Sequence, residues 1–427
     1  MLTVYLFLAA LIISIGVSFA LKVNAGAIAL FFAFFNGIFF YGFSASQVIR
    51  MWPISLFLML FLIMFFYGFS ISNGTVENLA SQIAYASRKM PYLLPIALWL
   101  FCIAIAGAGA GPYAVFAFLS VIVMRIAVKA GINRLLAAII VLTGGTIGGQ
   151  VPISVGGLVV QNYASAVGYE SVALAVSSHV FRNILIAEGL IFIIIYFVCG
   201  GHKLKNPDIE KPEPMTEKQK RTFAIMIFVV LLSVVPPFLA VIFPSASFIV
   251  TLAGACDITF TCTVGILLNM LFRVGDEKAA FGVVPWPTIL LICGIGVLIA
   301  TATSIGVIDS LSVWIQNNVQ GKNSIYLLML AGAIMSFFSS TLGVVVPTLS
   351  TLVPVFASIT GASPGFLFSA LTVPAYMTGF SPFSSAGAIT MAGAPESERP
   401  QLFNFLLAAP VVNTIFACLL VLIGIVR

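Results

Sequence analysis

The sequence predicts an all-α polytopic membrane protein made of two inverted repeats, each with about five crossings, one re-entrant hairpin and one broken helix. Three observations lead there. Only 7% of the 427 residues are charged, against about 25% in a soluble domain. The apolar residues, 61% of the chain, come in continuous runs, whereas an outer-membrane barrel would alternate them with polar ones. Motifs of the first half return in the second at a nearly constant spacing, the mark of an internal repeat. So few charges cannot clothe a soluble enzyme of this size. The 38 Phe exclude a disordered chain. The bases are scattered without an aromatic-interleaved patch, which argues against a nucleic-acid partner.

The elements follow in order. Residues 2–21, 25–43 and 54–72 are apolar runs long enough to cross a bilayer. No basic stretch precedes the first, so it reads as a retained span and not a signal peptide. The stretch 91–168 is apolar but interrupted, first by Gly107-Ala108-Gly109-Ala110-Gly111-Pro112 and then by the glycine-rich run from Thr143 to Gly157. Gly and Pro at this density break helices. Broken backbone at membrane depth survives only where it is buried in protein or lines a cavity. A span at 183–200 closes the first half. Spans at 222–243, 246–271 and 286–303 open the second. A second interrupted stretch, 325–395, holds Ser339-Ser340-Thr341-Leu342-Gly343 and the run from Thr378 to Gly387. A last span covers 403–425.

The interrupted stretches are copies. Gly131, Gly149, Pro152, Ser154 and Gly157 recur at an offset of 230 as Gly361, Gly379, Pro382, Ser384 and Gly387. Ser72, Gly74 and Glu77 recur at 232 as Ser304, Gly306 and Asp309, and Trp52-Pro53 at 234 as Trp286-Pro287. Asn183 matches Asn413. The repeats are therefore 1–200 and 222–427, joined by a polar linker at 201–221 that holds 10 of the charges. Five crossings per half is an odd number, so the second repeat inserts upside down. With the linker in the cytoplasm, 15 bases face inward and 4 outward, and both termini lie outside. This is the orientation of a bacterial-type inner-membrane protein. The loops after the two hairpins agree: Arg125, Lys129 and Arg134 follow the first, and 359–366 carries no charge.

Paired broken helices in inverted repeats mark secondary transporters. A broken helix exposes N–H groups at one fresh end and C=O groups at the other. The former suit an anion, and the latter, with hydroxyls, suit Na⁺. The expected substrate site combines the first tip (Gly109, Ala110, Gly111), the first break (Thr146, Gln150, Pro152, Ser154), the second tip (Ser340, Thr341) and the second break (Ser381, Pro382, Ser384). The expected cation site draws on Ser339, Ser340, Thr341, Thr378, Ser384 and Ser385. The first tip offers only backbone, so the better cation site is expected in the second half. No Arg or Lys falls in the tips or breaks. That favours a small carboxylate over a bulky polyanion, which would recruit Arg.

The tip Ser339-Ser340-Thr341, with Pro347 and Pro354 beyond it, resembles the Ser-Asn-Thr tip of the divalent anion/sodium symporters. The breaks "GGQVPISVGGLVV" (148–160) and "SPFSSAGAI" (381–389) are more similar to the malonate/dicarboxylate-carrier branch of the same ion-transporter superfamily. The resemblance implies an elevator-type carrier with a scaffold and a moving transport domain, commonly a homodimer, taking a carboxylate coupled to Na⁺ or H⁺. The sequence departs from the family tip at Ser340, where Asn is usual, and in the first tip, which lacks the motif.

The remaining polar residues have plainer readings. Asp257 lies in an apolar run and is a possible proton or cation relay, set against an interfacial position. Glu188 is a weaker intramembrane acid. Glu77 and Asp309 stand at span ends, where a carboxylate favours a helix start. His179 reads as interfacial. The six cysteines have no metal-type spacing and read as core residues. No cofactor is expected beyond the coupling ion. The alternative function is a cation/proton exchanger on the same architecture. No motif of a membrane enzyme is present.

Overall fold

The computed structural model describes residues 2–21, 23–205, 211–243, 246–256, 258–284, 286–307, 310, 313, 321, 324–337, 339–392, 394 and 399–426. Among these there are helices and turns and no strand. The first half contains α1 (Leu2–Leu21), α2 (Ala25–Phe39), α3 (Ala45–Arg50), α4 (Ile54–Ser72), α5 (Thr75–Ala86), α6 (Leu94–Ile105), α7 (Gly111–Ala114), α8 (Ser120–Ala130), α9 (Arg134–Gly149), α10 (Val155–Ala164) and α11 (Ala173–Val198). There follow α12 (Glu217–Ile242), α13 (Ser247–Ala255), α14 (Ile258–Leu271), α15 (Glu277–Gly282) and α16 (Trp286–Ser304). Later helices are Ser324–Phe337, Val346–Ser350, Val353–Thr360, Pro364–Thr378, Ser385–Ala392 and Arg399–Leu422.

Three boundaries differ from expectation. The run 246–271 is two helices, because the backbone leaves helical geometry at Cys256 (φ −86°, ψ 46°). The linker ends early. Thr216 caps α12 by accepting from Gln219 N, and Gln219 reaches back in a reciprocal capping box. Residues 217–221 are therefore already helical. The span at 183–200 starts a full ten residues sooner, at Ala173. Breaks also shorten the crossing segments. Among the described residues, Pro91–Ala114, Val155–Val198 and Arg399–Leu422 are long and apolar enough to cross alone. Two further pairs are bent, by 61° between α4 and α5 and by 54° at 351–352.

Two packing motifs organise the molecule. In the outer one, α2 lies on α16 and α14 lies on α4. At each contact a glycine makes room for its neighbour, as small residues do between packed helices. A Cβ on Gly294 would fall 2.2 Å from Gly26 O, and one on Gly265 would fall 2.4 Å from the Phe66 ring. The exchange is reciprocal: α2 of the first half packs on α16 of the second, and α14 of the second packs on α4 of the first. Asn73, at the α4–α5 bend, ties this frame together. Its Nδ2 donates to Thr222 Oγ1 at 2.8 Å and Val274 O at 3.2 Å, and its Oδ1 accepts from Thr75 N and Oγ1. Asn73→Ala is expected to cost about 2 kcal/mol and to lower the melting temperature in detergent by a few degrees, read by a thermal-shift assay.

In the inner motif, each hairpin doubles back along the helix that leads into its break. Along α9, a Cβ on Gly144 would meet Cys102 at 2.6 Å, and one on Gly148 would meet Ile103 O at 2.3 Å. One on Gly149 would meet Pro112 at 2.7 Å, and one on Gly145 would meet Phe116 at 2.6 Å. The chain thus climbs α9 as far as Gly107 and descends from Pro112. Glycines on α9 make room for both arms. The turn itself uses Gly109 (φ 118°) and Gly111 (φ 76°), a region closed to most side chains. In the second hairpin, a Cβ on Gly332 would meet Leu371 O at 2.6 Å. Thr341 Oγ1 then donates to Ala375 O at 3.1 Å near the top, and the returning helices pack on Pro364–Thr378 again. The sequence-matched glycines agree in conformation: Gly131 and Gly361 have φ 70° and 68°, and Gly74 and Gly306 have 75° and 72°.

Candidate functional site

The two hairpin tips and two breaks meet at one place. Tyr113, just past the first tip, is hydrogen-bonded through its hydroxyl to Ser340 Oγ of the second. Gln150 Nε2, in the first break, donates to Tyr376 OH, two residues before the second, at 2.5 Å. The second tip touches its own break where Ser385 N donates to Ser339 O at 3.2 Å. All four elements are thereby joined around a small buried space.

The second half supplies two capped helix starts. Ser340 Oγ accepts from Gly343 N at 2.9 Å, and Ser384 Oγ accepts from Gly387 N at 3.0 Å. Ser384 also donates to the freed carbonyls of Gly379 and Ser381. The positive ends of two helical segments therefore converge near one set of hydroxyls. In the first half Ser154 does not cap α10. Its hydroxyl donates instead to Ala106 O at 2.6 Å, pinning the break to the hairpin arm.

A cavity of about 20 Å³ lies inside, lined by Pro112, Tyr113, Thr146, Ser339, Ser340, Thr341, Tyr376, Gly379 and Ser384. This is room for roughly one water or one bare cation. Beside it is an open cavity of about 600 Å³, within the usual range for small-ligand sites. Its walls include Ser339, Ser340, Pro382, Phe383, Ser384 and Ser385 on one side and Ile15, Ser18, Asn24, Pro287 and Leu291 of the outer frame on the other. Ser339, Ser340 and Ser384 line both cavities.

Oxygen atoms crowd around Thr341, which lines the inner cavity. Thr341 Oγ1 is 2.6 Å from Ser336 Oγ and 3.1 Å from Ala375 O. Such a set of hydroxyls and carbonyls matches the needs of a hard monovalent cation. Among the described residues there is no cluster of His, Cys, Asp and Glu that could hold a harder-to-satisfy metal.

The other expected residues divide. Gly109 packs on the Tyr67 ring, Gly111 lies against Val155, and Tyr67 OH donates to Ala108 O. The first tip with Ala110 thus turns its glycines to protein and not to either cavity. Thr378 spends its hydroxyl on Pro374 O and Ala375 O within its helix. Ser381 Oγ accepts from Phe383 N. Pro152 is half-buried, whereas Pro382 is buried in the wall of the open cavity. Asp257 and Asp309 lie outside the described residues. His179 Nε2 is 3.1 Å from Arg182 Nη2 and packs on Gly365, at the start of the Pro364–Thr378 helix. Glu77 stands in the first turn of α5, where a carboxylate opposes the helix dipole.

Sequence reasoning passed over Tyr113 and Tyr376. Both were within reach of it: the first follows the glycine tip at once, and the second immediately precedes "MTGF" (377–380) at the second break. Tyr113 gives the first hairpin a hydroxyl that its Gly-Ala tip lacks, and Tyr376 adds one from the helix that leads into the second break.

Comparison with known proteins bears on this geometry. Residues 1–149 match the family model described as dicarboxylate carrier protein MatC N-terminus. No curated protein matches. Among solved structures the chain is similar to the YdaH transporter of Alcanivorax borkumensis, whose crystal structure reveals an unusual topology. The TM-score is 0.56 at 14% identity, over 89% of this chain and 88% of that one. At such identity the likeness is one of fold, an all-α membrane fold.

Proposed function

We propose that this integral membrane protein, which matches a dicarboxylate-carrier family over its first 149 residues, is a secondary transporter and not an enzyme. It moves a small carboxylate of the dicarboxylate type across the inner membrane together with Na⁺ or H⁺. One observation carries the reading. Two capped helix starts, at Ser340 and Ser384, converge on a cavity whose tips and breaks contain no Arg or Lys. An anion held there relies on backbone dipoles and hydroxyls, and a cation in the adjoining oxygen cluster adds the missing positive charge.

Two inverted repeats, 1–200 and 222–427 around the cytoplasmic linker, supply a moving domain and a frame. The frame comprises α1, α2, α4, α12, α14 and α16. The moving domain holds the hairpins, the breaks and their supporting helices. The open cavity lies between the two and reaches Asn24 in the α1–α2 turn. The distribution of bases puts that turn inside, so the conformation is inward-open. An elevator stroke of the moving domain, in a homodimer, then carries the site across.

Purified protein in liposomes tests this with radiolabelled malonate and succinate under imposed Na⁺ and H⁺ gradients in turn. Uptake of at least one, accelerated by at least one gradient, is the expected result. Uptake of neither, with a pH gradient that collapses on adding Na⁺, would replace the carrier with a cation/proton exchanger.

A further inference from the structure

Glu188 is fully buried in α11, and neither of its carboxylate oxygens has a hydrogen-bond partner among the described residues. Its neighbours along the helix fix its place. One and a half turns earlier, Asn183 Nδ2 donates to Ser369 Oγ on the Pro364–Thr378 helix at 2.9 Å. One turn later, Phe192 stacks on Trp99 with centroids 4.2 Å apart, and Trp99 Nε1 donates to Thr143 Oγ1 on α9 at 2.9 Å. Glu188 therefore stands between the two helices that lead into the breaks. Tyr376 is on one of these helices, hydrogen-bonded to Gln150 at the end of the other.

Among the described residues, the helices around it offer no compensating charge at this depth. The Pro364–Thr378 helix contributes Tyr376 as its one titratable residue, α10 contributes Tyr163, and α6 contributes the Cys102 thiol. On α9 the one titratable residue is Arg134, at its start. His179 and Arg182 lie toward the start of α11 itself and Tyr196 toward its end, with Glu170, Cys199, His202 and Lys203 at or beyond its two ends. A lone carboxylate in such a setting is costly as an anion and inexpensive as a neutral acid.

A polar line leads from water as far as Tyr376. Ser340 lines the open cavity, Tyr113 is hydrogen-bonded to Ser340, and Tyr113 and Tyr376 share the inner cavity. We propose that Glu188 is the proton-binding coupling group of this protein, reached from the open cavity along Ser340, Tyr113 and Tyr376. The assignment deepens the carrier reading above and rests on it. The step is a protonation only: one H⁺ from water converts the carboxylate to the acid, and one negative charge leaves the centre of the moving domain. An anionic substrate then binds beside a neutral group and not beside a like charge. By linkage, a lower pH tightens anion binding, and anion binding draws in a proton.

The test uses the full chain in liposomes with malonate, alongside Glu188→Gln and Glu188→Asp. In the wild type, apparent affinity is expected to fall about tenfold per pH unit above the titration of Glu188. Glu188→Gln, neutral at every pH, is expected to bind malonate independently of pH and to keep malonate exchange. It loses accumulation driven by an inward proton gradient. Glu188→Asp is expected to keep the pH dependence with a displaced midpoint, and it serves if the Gln variant does not fold. PH dependence retained in Glu188→Gln, or an undisplaced midpoint in Glu188→Asp, overturns the proposal. Infrared difference spectra of the protein without substrate judge the residue separately. A carboxylic-acid carbonyl band present in the wild type and lost in either variant's spectrum at that frequency supports it, and no change at that frequency overturns it. If the wild type carries no carboxylate at all, the carrier reading falls, and the infrared band alone decides whether Glu188 holds a proton.

Discussion

Replacing Gly387 with alanine is expected to reduce uptake about a hundredfold, the scale on which misplacing a site by about 1 Å acts. A Cβ at this position would lie 2.1 Å from Ser381 O and 2.5 Å from Phe380 O. Both obstacles are backbone, so no side chain can swing aside. The break itself must open, and with it the Ser384 cap that faces the cavities. Gly157, its match in the first break, is held the same way, 2.3 Å from Val151 O, and Gly157→Ala is expected to act alike. Gly189 is the control. A Cβ there meets nothing within 4 Å, and alanine in a helix interior is worth about 0.5–1 kcal/mol over glycine. Gly189→Ala should therefore transport normally. Liposome uptake and melting temperature measured side by side decide the matter. Equal activity of Gly387→Ala and Gly189→Ala would mean that the break geometry is not part of the site.

The second large effect concerns the coupling cation. Thr341→Val keeps the shape of the side chain and removes the hydroxyl that lies between Ser336 Oγ and Ala375 O. A hydroxyl-to-ion contact of about 1.5–3 kcal/mol predicts a rise of roughly tenfold to a hundredfold in the cation concentration giving half-maximal uptake. The maximal rate should change far less. Thr372→Val removes a buried hydroxyl from the Pro364–Thr378 helix, which carries Ala375; among the described residues that hydroxyl bonds Phe368 O and Ser369 O, and its loss should leave cation dependence alone. Uptake titrated with Na⁺ at fixed pH, and with pH at fixed Na⁺, distinguishes the ions. A shift of the same size in both variants would show that Thr341 acts through packing and not as a ligand.

How much of this could be read from the residues depends on how local the physics is. The breaks and tips were legible because Gly and Pro oppose helix wherever they stand, and the paired glycines at 131 and 361 end their helices in the same left-handed conformation. The helix end at Cys256 was not legible, because the surrounding apolar run reads as one span. The bonds Tyr113–Ser340 and Gln150–Tyr376 join residues 227 and 226 apart. Tertiary packing selects such partners, and no window of sequence contains both members. Glu188 was visible as an acid in an apolar run. That neither oxygen finds a hydrogen-bond partner among the described residues depends on α9 and the Pro364–Thr378 helix, which pack against α11 from distant parts of the chain.

The reciprocal seating of α2 on α16 and of α14 on α4 bears on biogenesis. A chain leaves the ribosome from its N-terminus and folds in that order. α2 is therefore inserted long before the helix that Gly26 must touch has been made, and α4 waits likewise for α14. Neither half can finish its own frame. Until α16 emerges, the early helices must be sheltered by lipid or by the insertion machinery, and assembly ends with an exchange between halves that were delivered separately.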